Sequence, residues 1–292
     1  MTTASQFRNT RDVMRFSTQP TYGSVLFCDS VAGSSTGGYI PTVGTATLIQ
    51  AQALATASKG DIVYVSPGHA ESVIAAAGMT FNKAGVTYEG IGFGRLRPTI
   101  TFSTDTAAQM IISGANITFR NFVFDFTGID AIVAAISVTG ADVAFEDCDF
   151  ITNGAAAGVV LGILTAATAT RFRVERCNFM GPAVNSGTTT TACIKHEVGV
   201  DYVIRNCYFT GKMTQAILNA TALLRGVIDS NRFVIATGTL AISVHASSTP
   251  FIVNNRINVP SGTTPITAAA GFVAGNVYSA AAGVTAGTAS TI

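Results

Sequence analysis

Ile204-Arg205-Asn206-Cys207-Tyr208-Phe209 is followed 24 residues later by Ile228-Asp229-Ser230-Asn231-Arg232-Phe233, and 24 residues after that by Ile252-Val253-Asn254-Asn255-Arg256-Ile257. The same six-residue pattern stands upstream as Phe119-Arg120-Asn121-Phe122-Val123-Phe124, Phe145-Glu146-Asp147-Cys148-Asp149-Phe150 and Val174-Glu175-Arg176-Cys177-Asn178-Phe179. A degenerate last copy reads Val273-Ala274-Gly275-Asn276-Val277-Tyr278. The fourth position falls at residues 122, 148, 177, 207, 231, 255 and 276, in steps of 26, 29, 30, 24, 24 and 21. Self-similarity at such a period marks a solenoid whose repeats stack on one another, and it outweighs local propensity.

The columns of this alignment make chemical sense. The first runs Phe, Phe, Val, Ile, Ile, Ile, Val, an inward aliphatic and aromatic stack. The fourth runs Phe, Cys, Cys, Cys, Asn, Asn, Asn, small or amide side chains at an inward bend, where stacked amides can satisfy one another. The sixth is Phe in five copies, then Ile and Tyr, an inward aromatic ladder. The second runs Arg120, Glu146, Glu175, Arg205, Asp229, Val253. With rungs about 4.8 Å apart, Arg120 is expected to pair with Glu146, and Arg205 with Glu175 and Asp229, as an outward ladder that fixes register more than it stabilises. A second strand follows in each coil, traced by Ile136, Ile163, Ile194, Ile217, Ile242 and Ile266. Gly, Thr, Ser, Asn and Ala between the strands supply turn chemistry. The fold expected is all-β, a single-stranded parallel β-helix.

Upstream, Gly60–Gly68, Gly85–Gly92 and Pro98–Phe102 read as further strands. Thr45–Ser58 is the one good helix, bounded by a Thr or Gly N-cap and by Gly60, and a stacked-coil protein needs such a cap over its first open rung. Residues 1–45 read as an N-terminal arm carrying Arg8, Arg11 and Arg15, with one strand over Ser24–Cys28; such an arm either binds a neighbouring subunit or is a disordered tail. Residues 46–279 are then the β-helix, with its capping helix over 45–58, and 280–292 a C-terminal cap or an exchanged tail.

Composition narrows the function. Of 292 residues only 11% are charged and 48% are hydrophobic, against about 25% charged in average soluble domains. Such a surface of Thr, Ser, Asn and Gly suits a rigid structural protein. The net charge of +1 gives no electrostatic case for nucleic acid or an acidic membrane. No window reaches a membrane span, and the N-terminus shows no secretory signal, so synthesis in a cytoplasm is expected. Five cysteines argue against a disulfide framework. One cysteine per rung at Cys148, Cys177 and Cys207 makes a buried column and not a converging metal site.

The run from Ile49 to Phe102 resembles the N-terminal region of pectate-lyase-like right-handed β-helix proteins, through Lys59-Gly60-Asp61, Ile62–Glu71, Ala84–Gly92 and Arg97–Phe102. Its Pro67-Gly68-His69-Ala70-Glu71 segment is similar to a group of tailed-bacteriophage virion proteins with this fold. The resemblance implies a right-handed parallel β-helix, often trimeric, in a phage particle. Three flat neutral faces also suit packing about a threefold axis.

Chemistry, if present, would use Asp147 and Asp149 with Asp125 one rung earlier, Asp142 nearby and Arg176 over Asp147, since polysaccharide hydrolysis needs converging carboxylates. A paired charge ladder accounts for the same residues. His69 is expected to close the first coil. In Lys195-His196-Glu197 alternation parts His196 from its neighbours, and the segment reads as an exposed edge. Gly90-Ile91-Gly92-Phe93-Gly94 lacks the helix that a phosphate-binding loop needs. The expectation is a non-enzymatic structural virion protein, with no catalytic, cofactor-binding or metal residues. It would be a capsid decoration or cement homotrimer touching the major capsid protein or other virion proteins. Two alternatives stand beside it. One is a tail-fibre or spike adhesion protein binding host-surface glycan through Tyr88, Tyr202 or Tyr208, and the other is a polysaccharide lyase or hydrolase.

Overall fold

The computed structural model describes residues 23–34, 37–39, 43–103, 106–126, 132–152, 159–182, 189–197, 199–237, 240–260, 265–268 and 271–281. Every strand pairing among them is parallel, and each strand pairs with its equivalent one coil away. The result is three stacks. The first is a 10-stranded sheet from Val25–Cys28 to Phe272–Ala274. The second and third are fused into a 16-stranded sheet because the 12-residue strand Tyr208–Asn219 runs without a break from one to the other.

The register reproduces the sequence columns residue for residue. Phe119, Phe145, Val174, Ile204, Ile228, Ile252 and Val273 are successive partners in the first sheet. Met110 leads the isoleucine column, which continues through Ile136, Ile163, Ile194, Ile217, Ile242 and Ile266. Phe124, Phe150, Phe179, Phe209 and Phe233 stack nearly parallel, with ring centroids 5.0, 4.5, 4.7 and 4.8 Å apart. That spacing is the strand repeat itself, so offset stacking comes with the coil geometry.

The third column, between the first and second sheets, turns the chain. Asn121, Asp147, Arg176, Asn206, Ser230 and Asn254 have φ of 59°, 55°, 53°, 54°, 57° and 57°, and Gly275 has 65°. One left-handed residue per coil ends one strand and aims the fourth residue inward. There Asn231, Asn255 and Asn276 form a directional ladder. Each side-chain oxygen accepts the backbone N–H of the preceding rung, from Cys207, Asn231 and Asn255 at 2.9, 3.0 and 2.9 Å. Each side-chain nitrogen donates to the carbonyl of Ile204, Ile228 or Ile252. The cysteines imitate this with sulfur. Cys177 Sγ lies 3.4 Å from the Cys148 N–H and 3.5 Å from the Phe145 carbonyl. All five cysteines are buried and unbridged.

The capping helix is shorter than Thr45–Ser58. It spans Leu48–Leu54, begins at a Thr47–Gln50 capping box, and stops because Ala55 adopts an extended backbone (φ −65°, ψ 145°). It packs against Val25–Cys28 and Met79–Phe81. Gln52 is buried and bonds the backbone of Thr80 and Asn82. The strand expected near Ser24 is present as Val25–Cys28 and opens the first sheet by pairing with Ile62–Val65. The coil stack therefore starts upstream of the helix. Residues 1–22, with Arg8, Arg11 and Arg15, and residues 282–292 lie outside the described residues. The last strand, Val277–Ala281, carries the second sheet two residues past the expected end at 279.

Candidate functional site

The charged ridge on the outer face of the first sheet and its bend holds the acidic candidates. Asp147 and Arg176 occupy left-handed bend positions on adjacent coils, and the guanidinium grips both carboxylate oxygens at 2.8 and 3.0 Å. Asp149, two residues on and facing outward from the second sheet, is bound by Arg97 and accepts from the Asn178 amide at 2.7 Å. Arg97 also bonds the Phe122 and Asp147 carbonyls at 2.9 and 2.5 Å, so it reaches across two coils. It was not singled out from sequence, because it lies outside the repeat.

The other two candidates are elsewhere. Asp142 sits at the opposite corner of the first sheet, held by Arg171 at 2.5–2.6 Å. That corner is a second left-handed column, Asn116, Asp142, Arg171, Asp201, Arg225, in which Asp201 and Arg225 pair likewise. Asp125 is in register with Ile151 and not with Asp149. The four aspartates therefore do not converge, and among the described residues no group of three or more acidic, His or Cys side chains could hold a metal.

The second column forms a network and not an exposed ladder. Glu146 and Glu175 are only 8% and 4% exposed. Arg120 lies 2.9 Å from Glu146, and Arg205 2.9 Å from Glu175, both as expected. Arg173 and Arg176 reach both glutamates at 3.5–3.8 Å and cover them. Asp229 is not the expected partner of Arg205; it accepts from Ser230 and Asn254 instead. Glu89, one rung before Arg120, has its pKa pushed up to about 7 by burial, against the pull of Arg120 at 3.7 Å. A general acid needs a raised pKa, but it also needs a second carboxylate free to act. Here the ridge carboxylates beside Glu89 are tied to guanidinium groups.

His69 ties the first coil together as expected. Its Nδ1 accepts from the Ser30 N–H at 3.0 Å, and its Nε2 lies 3.0 Å from Glu71, which in turn accepts the helix's first N–H from Leu48. Lys195 and Glu197 pair on the surface at 2.6 Å. His196 departs from the exposed-edge expectation. It is buried, bonded to Thr165 Oγ1 at 2.8 Å and stacked on Tyr202 at 4.5 Å, and burial pushes its pKa down to about 3. Tyr202 in turn bonds Asn219. Tyr202 and Tyr88 are thus core residues, not solvent-facing aromatics; Tyr208 alone of the three is partly exposed, beneath Arg232 at 5.3 Å. The Gly90–Gly94 loop packs on the bend, where the Asn121 amide bonds the Gly90 and Gly92 carbonyls and a three-residue 3-10 turn follows.

Neither protein-family models nor curated protein sequences match the chain. Solved structures do. The crystal structure of pectate lyase Pel9A aligns with a TM-score of 0.62 over 92% of this chain and 78% of its own, at 12% identity. A rhamnogalacturonan lyase aligns at 0.48 over 87% of each, at 14% identity. The Dettilon tailspike protein aligns at 0.36 over 75% of this chain and 60% of its own, at 12% identity. The first of these establishes the class: the chain has a pectate-lyase-like right-handed parallel β-solenoid fold. At this identity the likeness concerns fold and not chemistry.

Proposed function

We propose that the chain is a non-enzymatic structural protein of a phage particle, a homotrimeric decoration or cement protein on the capsid. The observation that carries the non-enzymatic reading is the pairing of the acidic candidates: Asp142, Asp147 and Asp149 are each held by an arginine, and Glu146 and Glu175 are buried beneath several. Releasing one for proton transfer would leave a guanidinium unpaired. The phage setting rests on the resemblance of residues 49–102, and the trimer on the same resemblance together with a content of charged residues of only 11%. Adhesion to host glycan through aromatics loses support from the burial of Tyr88 and Tyr202.

Three measurements test this. Sedimentation of the purified chain should give three times the monomer mass; a monomer sinks the trimer. Copy number in the particle should match the capsid lattice and not the tail. Incubation with acidic polysaccharides should release no reducing or unsaturated ends, and steady release would make the chain an enzyme.

A further inference from the structure

Arginines in the described strands follow one rule with two exceptions. Arg120, Arg173, Arg205 and Arg225 each reach a carboxylate. Arg232 and Arg256 do not. They are register partners on neighbouring rungs of the second sheet, and both are exposed. Among the described residues neither forms an ion pair; Arg232 rests on the Tyr208 ring, one rung earlier. Like charges directly opposite in a sheet repel. The pair therefore offers an anion two guanidinium groups one rung apart.

The chain's own described surface does not supply it. Ridge and corner carboxylates are taken by the arginines above, Glu71 by His69, Glu197 by Lys195, Asp61 by backbone N–H groups and Asp229 by Ser230 and Asn254. The surroundings indicate what kind of molecule brings the anion. The next residue in the Arg232–Arg256 column is Val277, 63% exposed. Around the bend at Asn254, Phe251 and Phe272 stand out from the first sheet with centroids 5.8 Å apart, 52% and 37% exposed. Aromatic residues and arginine beside apolar side chains are the composition of a protein interface. Val277 offers a sugar chain no hydrogen bond, and the two rings are tilted 49° to each other, so they present no flat platform for a sugar face.

We infer that the outer corner of the last rungs, Arg232, Arg256, Val277, Phe251 and Phe272, docks a different protein, one that presents carboxylates to the arginine pair and apolar side chains beside them. This goes beyond the structural reading by assigning the attachment surface to the C-terminal rungs in place of the N-terminal arm, and it holds for capsid and tail alike.

The test titrates the full chain with a short peptide alternating Leu and Glu, with its Leu-Gln twin, with alginate and with sodium sulfate. The Leu-Glu peptide should bind, more weakly as salt rises. Arg232→Gln with Arg256→Gln should weaken it by about tenfold or more, as should Val277→Asp. Arg225→Gln, which removes an exposed but paired arginine, should change nothing. The double variant should unfold no earlier than the parent, because it relieves a repulsion; earlier unfolding would make the pair structural and overturn the inference. Equal binding of the Leu-Gln twin overturns it too. So does alginate binding as tightly as the peptide, which would make the site one for anionic polymers, or full competition by sulfate, which would make it a free-ion site.

Discussion

Replacing Asn255 by Leu tests the amide ladder with little change of side-chain volume. In the parent, Asn255 Oδ1 accepts from the Asn231 backbone N–H and side chain, both at 3.0 Å, and its Nδ2 donates to the Ile228 carbonyl and to Asn276, both at 2.9 Å. After substitution Asn231 keeps its bond to the Ile204 carbonyl, and Asn276 keeps the Asn255 backbone N–H. Two groups lose what the ladder gave them: the Asn231 N–H and the Ile228 carbonyl. Each buried polar group left without a partner costs about 1–3 kcal/mol. The leucine offsets part of this by burying apolar surface, so a net loss of about 2–4 kcal/mol is expected. Urea unfolding followed by circular dichroism should show a lower midpoint at unchanged slope, and hydrogen exchange should quicken at Asn231. The converse, Cys177→Asn, should raise the unfolding free energy by about 0.5–1.5 kcal/mol, because an amide replaces a weak sulfur acceptor and donor in the same place. If Asn255→Leu costs less than about 0.5 kcal/mol, the ladder is a consequence of the coil and not a cause of its stability.

At Gly226 an added Cβ would lie 2.0 Å from the Tyr202 ring, so Gly226→Ala should cost about 1–3 kcal/mol in unfolding free energy by overpacking; a neutral result would mean that the Tyr202–Asn219 bond is dispensable. All five thiols are buried, and burial pushes Cys193 up to about 12 and Cys28 and Cys177 upward as well, so no thiol should react with a disulfide reagent at pH 8 until the chain unfolds. His196, held neutral by burial, stabilises the fold fully above its unfolded value near 6.5, and that contribution falls by about 1.4 kcal/mol per pH unit on acidification toward about 3. His196→Leu should abolish this slope. Glu89 has the opposite sign: its raised pKa favours the fold below about 4.5, a contribution lost as pH rises through about 7, so Glu89→Gln should steepen the acid-side loss in a pH series of melting temperatures.

The stack was legible because a solenoid writes its core as columns. A residue such as Phe150 has Phe124 below and Phe179 above, and each must match the others. What was not legible lies where single coils depart from the period. Arg176 and Ser230 occupy left-handed positions that Asn or Gly would advertise, so the bend was read at the fourth column and not at the third-column residue that makes it. The outward direction of Glu146 and Glu175 was right, but four arginines spread over three coils close over them, and alternation along one strand says nothing of cover from the others. His196 and Tyr202 stack on each other in the interior and bond Thr165 and Asn219, and such an irregular polar network leaves no repeat to read. The helix was placed correctly but overextended, since Ala, Thr and Ser after Leu54 carry no stop signal before Gly60.

The unbroken strand Tyr208–Asn219 has a mechanical consequence. Elsewhere in the described coils a strand of the second sheet ends before the third begins, so neighbouring corners are joined only through loops. At this rung one continuous segment, bulged at Gly211–Lys212, bonds sideways to Thr190–His196 and Asn178–Met180 on one side and to Arg232–Thr237 and Ile242–Ser243 on the other. Because each coil of a solenoid leans only on its neighbours, unravelling travels as a front along the axis. A front entering from the C-terminal end would meet this segment as a bulkhead. Pulled from that end, the molecule should give way in two stages: the coils after residue 232 first, then, at higher force, everything behind the bulkhead.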